Sequence, residues 1–219
     1  GITFMLASND ATKVNPTHFA IVSERAMQGM MEKVLGLRMM KTAMVDDPAF
    51  AFELTVIIRD GIERMYGEED GRDKDVMYYL TVYNEPIHQP AEPEGVDVEG
   101  ILKGIYKFAD APAGDGPEAQ ILASGVAVPW ALEAQELLAA HYGVRASVWS
   151  VTSWNEPRRE APACEETAFL NPGENPVPYL TQKLQGAQGP FVATSDYDHL
   201  VPDQIRAWVP GDYATLGAD

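Results

Sequence analysis

The chain has 219 residues, 46% hydrophobic and 22% charged, the proportions of a soluble globular protein long enough for one large or two modest domains. Its 33 acidic and 16 basic residues give a formal charge of −17, which argues against a basic face for nucleic-acid phosphates or an anionic membrane. Cys164 is the only cysteine, so an internal disulfide and a cysteine-based zinc site are excluded, and a reducing compartment suits it.

No apolar stretch approaches the roughly 20 residues that span a bilayer, and the opening GITFMLASND has no basic n-region of a signal peptide. A cytoplasmic protein is expected. The sequence starts on Gly rather than Met and stops on a strand-like DYATLGAD, so it reads as cut from something longer.

Within residues 1–45 the run ERAMQGMMEKVLGLRMMKTAMV holds six of the nine methionines in a helix-compatible pattern, which Gly29 and Gly36 weaken by about 1 kcal/mol each. Adaptable core filling and a flexible partner surface both fit it. A helix follows in DDPAFAFELTVIIRDGIERMYGEE. Asp47 is its expected cap, Pro48 its first residue and Gly67 its stop, with Phe50, Leu54, Ile57, Ile58, Ile62 and Met65 on one apolar face. Next, VMYYLTVY reads as a strand buried on both faces, so that helix and strand suggest a parallel α/β layer.

The segment 86–98, PIHQPAEPEGVDV, carries Pro86, Pro90 and Pro93 and reads as an extended crossing between domains. A short ordered EGILKGIYKF leads to the turn ADAPAGDGPEA. Then AQILASG as strand, VPWALEAQELLAAHYG as helix closed by Gly143, and VRASVWSV as strand form a βαβ unit. In that helix Leu132, Gln135, Glu136 and Ala139 lie along successive turns. SWNEPRREAPACEETAFLNPGENPVPY reads as a Pro-rich excursion. GPFVATSD as strand, HLVPDQIRAWV as helix and DYATLGA as a last strand complete an open α/β sheet.

Most polar motifs have simple conformational explanations. Gly114, Asp115 and Gly116 match the opening of a magnesium-diphosphate motif, but HYGVRASVW downstream has no Asn to supply the second oxygen, and turn chemistry suffices. GAQGP lacks the Lys-Ser/Thr of a P-loop and GVAVP lacks the dinucleotide fingerprint. Ser124 ends a strand where open sheets bind ligands, without a nucleophile elbow. His18, His88, His141 and His199 have no metal-ligand spacing; His141 suits a helix C-terminus, and Asp198 beside His199 suits a cap. In TVYNEPIHQP, Asn84, Glu85 and His88 put an amide, a carboxylate and an imidazole at the end of a buried strand. That set suits orienting a small polar substrate or acid–base work, and equally a strand surfacing where prolines stop it.

In order, DPAFAFELTVIIRDGIERMYGE, YYLTVYNEPIHQPAEPEG, EGILKGIYKF, QILASGVAVPWALEAQELLAAHYGV, SVWSVTSWNE, VPYLTQKL, GPFVATSDYDHLVPDQIRAWVPGDY and TLGAD resemble the homodimeric bacterial pyruvate dehydrogenase E1 component, over residues 46–219. The resemblance implies an enzyme using thiamine diphosphate and magnesium to decarboxylate pyruvate. It passes the two-carbon unit to lipoyl groups on a dihydrolipoyl acetyltransferase core, E2. It also implies a homodimer with cofactor between domains of different subunits. On that pattern 1–45 is an atypical Met-rich segment, 46–90 the last helix and strand of a pyrimidine-binding-like middle domain, 91–118 a linker, and 119–219 most of a transketolase-like C-terminal domain. The family's principal catalytic residues would lie upstream. This segment is therefore expected to support fold and dimer, to bind no cofactor and to be inactive alone. Only Asn84, Glu85 and His88 would border an active site. A non-catalytic interaction module, and a related 2-oxo-acid dehydrogenase or transketolase, are the competing readings.

Overall fold

A computed structural model describes residues 5–8, 42–67, 76–83 and 87–218. They build two sheets whose carboxyl ends meet. The first sheet has strands β1 (Met5–Ser8), β2 (Thr42–Asp46) and β3 (Val76–Val82) in the order β1-β3-β2, all parallel. β3 is central, and Leu80 and Tyr78 are almost wholly buried, as a strand flanked by two others requires. Thr42–Asp46 takes the end of the Met-rich run that reads as helix from the sequence; its pairing with β3 outweighs a helix-compatible pattern. The rest of that run lies outside the described residues.

Helix α1 (Ala51–Tyr66) connects β2 to β3. It starts three residues later than the sequence reading has it, and Asp47 is not its cap. Glu53, in the first turn, accepts the N–H groups of Ala49 and Phe50 at 2.7 and 2.8 Å, so the helix caps itself from inside. Gly67 does end it, its N–H bonding to Glu63 O. The buried face runs through Phe52, Glu53, Ile57 and Gly61, while Ile62 is exposed. Gly61 is there because the Tyr78 ring lies 3.0 Å from where its Cβ would stand.

The second sheet has the order β4-β6-β5-β7-β8, from β4 (Tyr106–Ala109), β5 (Glu118–Ala123), β6 (Arg145–Ser150), β7 (Phe191–Thr194) and β8 (Tyr213–Leu216). All pairs are parallel except β4 with β6. This is the mostly parallel open α/β sheet expected. Helix α2 (Val98–Leu102) precedes β4, and α3 (Ala127–Tyr142) joins β5 to β6 and ends on Gly143 in the left-handed conformation. The side chains of β5 alternate between two cores. Ile121 and Ala123 pack with Phe50, Ile101, Tyr106 and Val128, so the first core is shared with α1 of the first sheet. Leu122 joins Trp149, Leu180, Leu184, Phe191 and Ile205 in the second.

The Pro-rich excursion begins as a helix, α4 (Asn155–Leu170), rather than as irregular chain. Pro157 sits in its first turn, where no intrahelical N–H is needed, and Pro162 is tolerated inside it at the loss of one bond. The irregular part is limited to 171–178, a turn at 171–173 and the stretch after it, before α5 (Tyr179–Leu184). HLVPDQIRAWV is also shorter than one helix: α6 (Leu200–Asp203) gives way to a 3₁₀ turn at Arg206–Trp208.

Candidate functional site

The most polar buried region is the junction between the sheets, built from residues just past the carboxyl ends of β2, β3, β5, β6 and β7. Backbone bonds span it: Asp47 N–H donates to Thr152 O at 2.6 Å and Gly125 N–H to Asp47 O at 3.1 Å. Ser153 Oγ donates to Val45 O. Gly125 has φ +51, and a Cβ there would lie 2.0 Å from the Tyr83 hydroxyl, so only glycine lets β3's exit lie against β5's.

Four buried carboxylates, Asp46, Asp47, Glu53 and Glu156, line this junction. Asp47 Oδ1 accepts the hydroxyls of Thr81 and, at 2.7 Å, Tyr83; burial nevertheless pushes its pKa up. Glu53 is fully enclosed. Its Oε1 accepts Tyr106 OH and Ser150 Oγ, both at 2.6 Å, so with Ala49 and Phe50 it has four donors, and burial still raises its pKa. Asp46 is shifted well above the carboxylate range by burial and then by Glu156, against the opposing pull of Arg159 and Arg64. Glu156 pairs with Arg159, whose other contact is Met44 Sδ at 3.3 Å. These groups tie the two sheets together, and the carboxylates themselves are buried.

Among the described residues singled out from sequence as site candidates, only Ser124 lies in this junction. Asn84 and Glu85 lie outside the described residues. His88 is exposed on the extended stretch after them, and its neighbour Gln89 accepts Ala51 N–H at 2.9 Å, tying that stretch to the start of α1. Ser124 is completely buried beside Asp47, not open to a ligand. Asp198 accepts Leu200 N–H at 2.8 Å from one residue before the N-cap, which is His199, so it bonds the first residue of α6 without being its cap. Asp115 stands exposed on its turn, and Gly116 is packed so closely that a Cβ would fall 1.9 Å from Gly143 O. Those residues fit a tight turn rather than a magnesium-diphosphate site. Sequence reasoning missed Asp46, Glu53, Thr81, Tyr83, Tyr106 and Ser150 as a set. The only local signal was an acidic residue three positions into the apolar face of α1.

The fold defines the class: the chain belongs to the family of the transketolase-like C-terminal domain, whose model matches residues 104–219. A second model, the middle domain of the pyruvate dehydrogenase E1 component, matches residues 35–90. The chain's homologues are pyruvate dehydrogenase E1 components. That of Mycolicibacterium smegmatis is 52% identical over 178 residues, 81% of this chain and 19% of the relative. That of Escherichia coli K12 is 46% identical over 175 residues, 79% of this chain and 19% of the relative. The chain thus spans about a fifth of the length of the curated relatives it matches. Among solved structures, a split-gene transketolase described as an inactive β4 tetramer superposes with a TM-score of 0.50 at 16% identity, over 86% of this chain and 52% of that one. Among the described residues no helix is long and apolar enough to cross a membrane.

Proposed function

We propose that the chain is the end of the middle domain and most of the C-terminal domain of a cytoplasmic, homodimeric pyruvate dehydrogenase E1 component. The parent decarboxylates pyruvate and transfers the acetyl unit to lipoyl groups of E2. The observation that carries this is identity of 46–52% with E1 components over four-fifths of the chain, in a single run across both matched domains. Bound in the parent, thiamine diphosphate with magnesium supplies the carbanion chemistry. The described residues of this chain contribute the packed sheets and their junction, and no step of the reaction is assigned to them. The segment alone is inactive and works as a structural, dimer-supporting part.

Calorimetric titration of the isolated chain with thiamine diphosphate and magnesium tests this; saturable binding contradicts a purely supporting role. In a complete parent enzyme, Asn84→Ala and His88→Ala raise the KM for pyruvate or slow turnover if TVYNEPIHQP borders the substrate path. Unchanged kinetics in both leave that loop only its structural role.

A further inference from the structure

Asp47 is buried among hydroxyls and other acids. From β3 it meets Thr81, whose hydroxyl donates to it, and Tyr79; just past β3 is Tyr83. Past β5 are Ser124 and Gly125, past β7 Asp196 and Tyr197, and next along its own strand Asp46. Among the described residues no Lys, Arg or His acts on it. Tyr83 has one hydroxyl proton and two carboxylates beside it, Asp47 Oδ1 at 2.7 Å and Asp196 Oδ1 at 3.4 Å. Burial strips Asp47 of hydration, and among the described residues no cation acts on it to offset the loss.

A single proton on Asp47 relieves this and has a place to go. Asp47 Oδ2 and Ser124 Oγ are both buried, and the Ser124 hydroxyl, which favours the ionised carboxylate when it donates, is the acceptor within reach of a proton on Oδ2. A protonated Oδ2 donates to Ser124 while Oδ1 keeps Thr81 and Tyr83.

We propose that Asp47 is a proton-controlled latch between the two domains: neutral, it clasps the carboxyl ends of both sheets, and ionised, it loosens them. The bonds that break on loosening are the backbone ones that Asp47 makes with Thr152 and Gly125. The rise in Asp47's pKa with burial has the sign the latch requires. With the folded value above the unfolded one, the clasp is complete below the ordinary aspartate range and is lost as pH rises through the folded value. The device belongs to the fold and is independent of the reaction assigned to the parent.

The test is amide hydrogen exchange at Asp47 and Gly125 in the full chain, corrected for the intrinsic rate, from about pH 5 to about pH 9. In the wild type, protection at both amides falls as pH rises, by at most about ten-fold per unit, the limit for release of one proton. Asp47→Asn is isosteric and always neutral, its amide donating to Ser124, and its protection stays flat. Flat protection in the wild type, or an Asn variant that follows the wild-type slope, overturns the latch. The carboxyl ¹³C titration of Asp47 in the wild type gives an answer even if the variant does not fold. A midpoint above the ordinary value of about 4, coinciding with the loss of protection, supports the latch, and one at or below that value refutes it.

Discussion

Replacing Glu53 by alanine tests whether the junction is a structural clamp. The carboxylate is completely buried and takes four donors: two backbone N–H groups of its own helix start, and two hydroxyls, Tyr106 and Ser150, from the second sheet. Alanine strands both backbone donors, at about 1–3 kcal/mol each, and opens a cavity, while relief from burying a charge returns part of the loss. The net destabilisation is about 3–5 kcal/mol, from the stranded donors and the cavity less that relief. That is a large share of the roughly 5–15 kcal/mol by which a domain is stable. Glu53→Gln costs less, about 1–2 kcal/mol. Its oxygen still accepts both N–H groups, and the two hydroxyls turn to accept from its nitrogen. Urea unfolding followed by tryptophan fluorescence measures both variants, with the slope compared so that two-state behaviour is checked. A double-mutant cycle with Tyr106→Phe should show coupling above about 0.5 kcal/mol across the two sheets. An alanine variant within about 1 kcal/mol of wild type, with an unchanged slope, refutes the clamp.

Gly125→Ala forces a Cβ to 2.0 Å from the Tyr83 hydroxyl at a φ of +51, so the melting temperature drops sharply; a near-native melt shows that β3's exit can move aside. Pro162→Ala restores a backbone bond inside α4 and stabilises the chain by up to about 3 kcal/mol, read as a higher urea midpoint, and no gain means the helix is already bent around the proline. For Asp97, burial pulls the carboxyl up, but the hydrogen bonds from Lys183 and the Gly100 N–H outweigh it and leave the pKa lowered. Its stabilisation is therefore present above the unfolded value of about 3.9 and lost as pH falls through the folded one. Asp97→Asn then destabilises near neutrality, and a pH series of melts in which the two proteins converge as the pH falls through the folded value checks the sign.

The parts of the fold legible in the sequence are those set by local pattern. β5, α3 and β6 follow from a buried run, a helical period and Gly143, and β3 follows from VMYYLTVY. The failures have physical causes. Asp47 and Pro48 look like a helix start because capping is read from nearest neighbours, whereas Glu53 supplies the cap and Asp47 is held by Thr81 and Tyr83, 34 and 36 residues on. Pro157 and Pro162 suggested irregular chain in α4, yet one occupies a first turn and the other costs a single bond. The junction could not be read because the partners of Glu53 are 53 and 97 residues away, and no local periodicity encodes such pairs. Of the polar letters that stood out, His88 is exposed and Ser124 completely buried, a difference that no local pattern shows.

That two domains should meet through buried acids, in a chain already carrying −17, has a directional explanation. Apolar packing alone tolerates sliding, and a well-packed apolar replacement of buried polar groups is often the more stable choice. Hydrogen bonds fix angles. Glu53 holds α1's start to β4 and β6, Asp47 holds β2's end to the exits of β3 and β5, and Ser153 holds Val45; together they fix one orientation of the sheets. Open α/β sheets present their ligand sites at the carboxyl ends of their strands, and here the ends of β2, β5 and β6 are bonded to one another. The same bonds that set the angle between the domains thus close the usual ligand position over β5, where Ser124 is completely buried. Gly125→Ser makes that argument testable. If filling the junction leaves the chain folded with its sheet angle unchanged by small-angle scattering, the polar bonds are not what orients the domains.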